Sequence, residues 1–221
     1  MSNQITTDDL LSFYRLGIFP MAEHRNDPDL FLVDPELRGV LPLDRFHIPK
    51  KLKKVVRSDP FEIRVDTAFT RVLEGCAAST HDRPSTWINS TIFNLYGQLH
   101  RLGYAHSIET WLDGELVGGL YGVSVGGAFF GESMFSRVSE ASKVALVHLV
   151  ARLIYCDYKL LDAQFTNKHL EQFGIIEIPR REFRRRLSHA MGFEADFNAY
   201  DGLSSDERSG ASAIQRITQT S

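Results

Sequence analysis

Apolar and polar positions recur along this chain with two periods, and the places where the period changes mark its elements. From residue 5 to 16, Leu10, Leu11 and Tyr14 fall on one side of a helix that Thr7 or Asp8 can cap and Gly17 can end. The apolar loop Ile18-Phe19-Pro20-Met21 follows and would pin that helix to a core. After a polar, turn-like stretch from Glu23 to Asp29, the pattern predicts a short strand over Leu30 to Val33. An extended segment over Pro35 to Leu43 and a helix over 49–57 come next. Phe61, Ile63 and Val65 alternate strictly and predict the first strand of the main domain. Helices are predicted over 67–76 (Ala68, Val72, Leu73 and Cys76 on one face) and over 90–102 (Ile92, Phe93, Leu95, Tyr96, Leu99). A polar loop over 79–85 separates them, and Gly103 serves as a C-cap. His106 to Leu112 alternates as a strand, Asp113-Gly114 is a two-residue hairpin turn, and Glu115 to Val125 pairs back. Gly126-Gly127 then supplies positive φ for a second turn, and Ala128-Phe129-Phe130 begins the return arm. Ser139 or Ser142 can cap a helix whose body, Val144 to Tyr155, is apolar nearly all round and is therefore predicted to be buried. A last strand runs from Lys159 to Gln164. Beyond Gly192 the periodicity is lost, and the Ser-, Thr- and charge-rich segment 201–221 reads as a mobile tail.

These elements divide the chain into a small N-terminal lobe (1–60), a catalytic domain (61–192) and the tail (193–221). The domain runs strand, helix, helix, three antiparallel strands, buried helix, strand, an α+β arrangement. Side chains alternate along the last strand, so Asp162 and Gln164 face one way and Leu161 and Ala163 the other. Glu132, at the end of the preceding strand, lies beside the same crossover. Three polar groups therefore converge at one edge of an otherwise apolar sheet. The alternative is structural, with Glu132 capping the helix and Asp162 paired with an arginine.

Composition removes several classes of function. The chain has 221 residues, 43% of them hydrophobic and 24% charged, the proportions of an ordinary globular protein. No apolar run reaches the roughly 20 residues that span a bilayer, and the start lacks a signal-peptide pattern, so no membrane partner is expected. Cys76 and Cys156 stand far apart without His or Cys at metal spacing, and the eight histidines form neither HxH nor HExxH. Neither a structural zinc site nor metal chemistry is expected, and the thiols are predicted to stay reduced. The formal net charge is −3, but Lys50, Lys51, Lys53, Lys54 and Arg57 crowd one short stretch, and Arg180, Arg181, Arg184, Arg185 and Arg186 another. Such patches can meet a phosphate backbone or can be solvated helix faces.

The element order is that of the acyl-CoA N-acyltransferase (GNAT-like) fold, whose sheet opens in a V between middle strands. That fold holds a pyrophosphate on a glycine-rich loop opening the helix after the hairpin. Here the loop reads Phe135-Ser136-Arg137-Val138-Ser139-Glu140, without glycine. Side chains would obstruct the backbone's approach to a pyrophosphate and Glu140 would repel it, so an acyl-CoA donor is disfavoured.

Several stretches then occur together, in order: Tyr14-Arg15-Leu16-Gly17-Ile18-Phe19-Pro20, Thr86-Trp87-Ile88, His106-Ser107-Ile108-Glu109-Thr110-Trp111, Leu116 to Val123, Gly131 to Arg137, Ala141-Ser142-Lys143 and Asp162-Ala163-Gln164. Over roughly residues 8 to 183 the chain resembles the bacterial leucyl/phenylalanyl-tRNA–protein transferases. The resemblance implies transfer of leucine or phenylalanine, sometimes methionine, from its tRNA to a protein whose N-terminal residue is Arg or Lys. The product is a degradation signal. It also implies a cytoplasmic monomer that needs no metal, CoA or other cofactor. Carried over residue by residue, Asp162 and Gln164 match the catalytic pair, with Gln164 orienting the attacking amine and Asp162 drawing its developing charge. Glu132 would attract the acceptor's basic side chain or hold the pair. Trp87 matches a tryptophan that stacks on the 3′-terminal adenosine, with Tyr96 and Phe31 beside it; Phe31 stands where many members carry tryptophan. Leu120, Phe129, Met134, Leu146, Leu149, Leu153 and Leu161 match the pocket for the aminoacyl side chain. The basic group from Lys50 to Arg57 falls where the family contacts the acceptor stem. Two other readings stay open: a CoA-dependent N-acyltransferase, and a non-catalytic module that binds the tRNA acceptor end or a peptide.

Overall fold

The computed structural model describes residues 5–79 and 85–220, so most of the polar loop expected at 79–85 lies outside the described residues. Helix α1 (Thr7–Leu16) is capped by Thr6, one residue before the expected Thr7. Thr6 Oγ1 accepts from the Asp9 backbone N–H at 3.2 Å and the Asp9 carboxylate accepts from the Thr6 N–H at 3.0 Å. That reciprocal pair is a capping box, and Gly17, at φ 80°, ends the helix in the left-handed conformation. Strands β1 (Phe19–Met21) and β2 (Phe31–Val33) pair as a small separate sheet. Next come β3 (Leu37–Leu41), α2 (Lys50–Arg57), β4 (Glu62–Val65), α3 (Phe69–Ala77) and α4 (Ser90–Arg101). The hairpins follow as β5 (Ala105–Leu112), β6 (Glu115–Val125) and β7 (Ala128–Ser136). Both residues of the Asp113-Gly114 turn have positive φ, as a two-residue hairpin requires. The rest is α5 (Ala141–Tyr155), β8 (Leu160–Gln164), α6 (Lys168–Glu171), β9 (Ile176–Pro179), α7 (Arg180–Ala190) and α8 (Gly210–Thr220).

The large sheet is mixed, in the order β4-β5-β6-β7-β8-β3-β9, and β7 with β8 is its parallel pair. Strand β3 comes from the segment expected in the N-terminal lobe, yet it lies between β8 and β9, antiparallel to both. It supplies the hydrogen bonds that β8 would otherwise lack along that edge. Pairing between β7 and β8 lasts only from Ala128↔Leu160 to Phe130↔Asp162. Beyond that point β7 runs on to Ser136 without β8, and the two strands part.

Alternation sends Tyr121, Phe130 and Leu160 to one face of the sheet, against α1, α3 and α4. It sends Leu120, Phe129 and Leu161 to the other, against α5. The C-terminal segment expected to be mobile is part of that second core. Phe197 stacks on Phe129 at 5.5 Å and on His106 at 4.0 Å, and Ala213, Ile214 and Ile217 of α8 are buried against α2 and α5. The polar composition hid three apolar side chains at helical spacing, and burying them outweighs the segment's intrinsic preference for coil. Helix α5 starts at Ala141. Its N-cap position is Glu140 at φ 69° with no side-chain cap, while the Ser142 N–H is satisfied by Ser136 Oγ at 2.9 Å. Neither serine expected to cap it does so.

Candidate active site

Where β7 and β8 part, a cavity of about 700 Å³ opens. Gly131 to Ser136 of β7 form one wall, Leu161 to Ala163 of β8 another, and Ser142, Leu146 and Leu149 of α5 the base. Both strands are irregular here. Gly122 pairs with Gly131 and Tyr121 with Ser133, so Glu132 is an extra residue bulged out of β7. Gly39 pairs with Gln164 and Val40 with Asp162, so Ala163 is a second bulge. Bulges re-aim the side chains beside them, and these two flank the cavity. The first needs Gly122, because a Cβ there would lie 2.3 Å from the Phe130 carbonyl oxygen.

The bulges bring Glu132 and Gln164 together: Gln164 Nε2 donates to Glu132 Oε1 at 3.0 Å. Gln164 holds a left-handed φ of 59°, and its backbone N–H donates to Asp162 Oδ1 at 2.9 Å. Asp162 is fully buried and paired with Arg38, whose Nε and Nη2 donate to it at 2.9 and 2.6 Å. Arg38, 1% exposed, also gives Nη1 to the Gly17 carbonyl at 2.9 Å and lies between the rings of Phe19 and Phe183, at 4.5 and 4.4 Å. Asp162 is thus in the structural ion pair, while Glu132 keeps a free approach from the cavity. The strict alternation expected for β8 is broken by its bulge.

Glu132 borders the cavity on one side and is enclosed on the others. Tyr14 donates to Oε1 at 2.7 Å and Tyr96 to Oε2 at 3.1 Å, and the two phenol oxygens also touch each other. Burial raises the Glu132 pKa to about 7; the tyrosine hydrogen bonds and Arg38 oppose the rise and Asp162 adds to it. Burial likewise holds both tyrosines well above the usual phenol range.

Of the residues expected in the apolar pocket, Leu120, Met134, Leu146, Leu149 and Leu161 line this cavity. Phe129 and Leu153 do not. The Phe129 ring turns away to stack on Phe197, and Leu153 is fully buried in the core behind α5. Tyr96, expected beside the adenosine, has no exposed surface: its hydroxyl is on Glu132 and its ring packs edge-on against Tyr121 at 5.5 Å, so no face is open to a base. Trp87 is half-buried and Phe31 is 45% exposed, so each presents ring surface. On α2, Lys50, Lys51, Lys54 and Arg57 are exposed and Lys53 half-buried, and they make no ion pair with any described residue. The arginines of α7 differ. Arg180 and Arg184 bind Asp34 at 3.1 and 2.6 Å, and Arg185 and Arg186 bind Glu182 at 2.8 Å each. Two carboxylates thus offset part of that cluster's charge.

Tyr14 and Arg38 belong to the site without having been singled out. A lone arginine in the apolar run Leu37 to Leu41 was the available signal, since a buried guanidinium demands a carboxylate. Nothing in the α1 pattern separates Tyr14 from a core residue. Asn167, Lys168 and His169 complete the cavity rim, and His169 Nε2 is buried there without a hydrogen-bond partner among the described residues.

An apolar cavity with a carboxylate titrating near neutrality on its wall suits the transfer of an apolar acyl group to an amine, which defines an acyltransferase. Comparison with known proteins makes the class specific. Residues 40–188 match the family described as leucyl/phenylalanyl-tRNA protein transferase. A protein of that name from Hyphomonas neptunium is 60% identical over 221 residues, covering all of this chain and 86% of the relative. One from Caulobacter vibrioides is 59% identical over the full length of both, and one from Maricaulis maris 55% identical over 97% of each. The chain belongs to the leucyl/phenylalanyl-tRNA–protein transferase family. A solved structure from Staphylococcus epidermidis, described as a functionally unknown conserved protein, covers 80% of this chain and 66% of its own at 12% identity. Its TM-score is 0.39, too low to argue from.

Proposed function

We propose that this protein transfers leucine, phenylalanine or methionine from aminoacyl-tRNA to the α-amine of proteins that begin with Arg or Lys. The observation that carries the reading is Glu132 on the wall of an apolar cavity, hydrogen-bonded to Gln164. The aminoacyl side chain occupies the cavity between Leu120, Met134, Leu146, Leu149 and Leu161. Met134, being adaptable, accommodates both aliphatic and aromatic groups. Trp87 and Phe31 supply stacking surface for the 3′-terminal adenosine, and the unpaired cations of α2 meet acceptor-stem phosphates.

The acceptor amine has an ordinary pKa of ~7.7–8.0, so part of it is neutral near pH 7. Gln164 orients that amine toward the ester carbonyl. As the C–N bond forms, the nitrogen becomes cationic and its proton passes to Glu132, whose pKa of about 7 suits it to accept and later release one. His169 Nε2, unpartnered on the cavity wall, is available to the developing oxyanion. The tetrahedral centre then expels the ribose oxygen, which takes the proton. Asp162 acts through position: with Arg38 it holds the Gln164 backbone in its left-handed conformation. This gives Glu132 the proton-accepting role and gives Asp162, expected to draw the amine's developing charge, a positioning one.

A GNAT-like fold is supported by the parting of the parallel strands β7 and β8. A CoA donor is not favoured. The α5 N-terminus is occupied by Ser136 Oγ and by Glu140, which pairs with Lys143 at 3.1 Å. Charged tRNA as the donor supports a cytosolic reaction. No helix among the described residues is long and apolar enough to cross a membrane. The deciding experiment offers [¹⁴C]leucyl-tRNA to two peptides, one beginning with Arg and one with Asp. Transfer to the Arg peptide alone is expected. Transfer to the Asp peptide alone overturns the acceptor, and transfer to neither with tRNA still bound leaves a binding module.

A further inference from the structure

Away from that cavity, a second one of about 370 Å³ lies between β4, β5, another face of α5 and the C-terminal segment. Its floor is apolar, formed by Phe61, Ile63 and Ile108. Its polar groups sort by whether they are already committed. Asp59 accepts from the Gly210 N–H at 2.9 Å, Glu62 is held by Arg64 at 2.8 and 2.7 Å, and Arg152 is held by Asp201 and the Phe197 carbonyl. His148, by contrast, is 5% exposed, and its Nε2 has no hydrogen-bond partner among the described residues although it lines the cavity. Burial and the neighbouring Arg152 lower its pKa to about 4, so the ring is neutral and Nε2 can carry a proton to donate. The Tyr200 hydroxyl accepts from Arg216 at 2.8 Å, which leaves its own proton to give. Arg208 is exposed at the mouth and makes no ion pair with any described residue. An unpaired buried imidazole is costly in a folded protein, and this one belongs to a residue that lines the cavity.

We propose that this cavity is a binding site for a small monocarboxylate with a hydrocarbon body. The carboxylate sits on Arg208, Tyr200 and His148 Nε2, and the hydrocarbon lies on Phe61, Ile63 and Ile108. Arg208 is the cation at the mouth without a carboxylate partner among the described residues, so it selects an anionic headgroup. Glu62 is already paired with Arg64, and Asp59 accepts from the Gly210 N–H. The volume and the apolar floor favour a carboxylate with a short chain over inorganic phosphate. The site shares α5 with the first cavity but none of its lining residues, and it does not depend on the proposed transfer reaction.

The test uses the full chain labelled at histidine Cε1 and titrated by NMR with hexanoate, with hexylamine as the control of opposite charge. Saturable movement of one imidazole signal is expected with hexanoate, in the millimolar range natural for so small a ligand, and none with hexylamine. The signal is assigned by its loss in His148→Phe. Arg208→Gln, an exposed change that leaves the fold intact, should weaken binding about tenfold. No saturable shift with hexanoate, an equal shift with hexylamine, or unchanged affinity in Arg208→Gln would each overturn the proposal. If His148→Phe does not fold, the Arg208→Gln comparison decides alone.

Discussion

At the scale of single residues, burial lifts the Glu132 carboxyl to about 7, and that sets the chemistry. Glu132→Gln keeps the shape but cannot accept a proton. It should lower kcat/KM for leucyl transfer by ~10²-fold or more, the usual reach of a general base. The wild-type profile should rise with pH through about 7, the Glu132 pKa, and the variant should lose that rise. A variant with the wild-type profile would remove Glu132 from proton transfer. Asp162 behaves differently because Arg38 is its partner. Asp162→Ala leaves a guanidinium buried and unpaired, so it should destabilise the fold by roughly 3–5 kcal/mol in denaturant titrations as well as abolish turnover. A loss of turnover with full stability would restore a direct chemical role to Asp162.

Among elements, α8 and α2 make the sharpest claims. Ile214 is 3% exposed within the second core, so Ile214→Ala should cost about 2–4 kcal/mol by urea unfolding. A mobile tail would register no change. On α2 the cations face solvent without carboxylate partners. If they meet phosphates, removing Lys51 or Lys54 should weaken tRNA binding and flatten the slope of log affinity against log salt by ~1 per contact. Substituting Arg185 should change the slope less, because Glu182 binds it and offsets part of its charge and that of Arg186.

For the whole molecule, the buried titrating groups tie stability to pH with opposite signs. The Glu132 pKa is raised from 4.5 to about 7, so between those values the folded state keeps a proton that the unfolded chain has lost. Its contribution is therefore full below about pH 4.5 and declines as pH rises through 7, by roughly 3 kcal/mol in all. His148, lowered from 6.5 to about 4, does the reverse: its contribution is complete above 6.5 and is lost as the pH falls toward 4. The two offset each other in wild-type protein. The difference between wild type and Glu132→Gln isolates the first: wild type should gain relative stability on going from about pH 8 to about pH 5 in denaturant midpoints. A pH-independent difference would show that Glu132 titrates normally.

Much of this was legible from local pattern, because local physics suffices for it. The amphipathic repeats of α1, α3 and α4, the Asp113-Gly114 turn, the apolar surface of α5 and the run Asp162-Ala163-Gln164 each carry their own signal in a short window of sequence. The apolar pocket was legible wherever a side chain faces the gap between strands, as at Leu120 and Leu161. What needed the tertiary structure depends on residues brought together from far apart. Tyr14 and Tyr96 reach Glu132 only because α1 and α4 cover one face of the sheet. Arg38 reaches Asp162 only because β3 lies beside β8. Bulges decide where Glu132 and Gln164 point, and a bulge is a mismatch between two strands that neither strand shows alone. Phe129 left the pocket because Phe197, far along the chain, offered it a ring to stack on. The sequence by itself determined the family and the elements with a strong local pattern; the tertiary structure decided which carboxylate borders the cavity beside two tyrosines and which is locked in an ion pair. The reason is physical: a pKa depends on what surrounds the group in space, and those neighbours are not its neighbours in the chain.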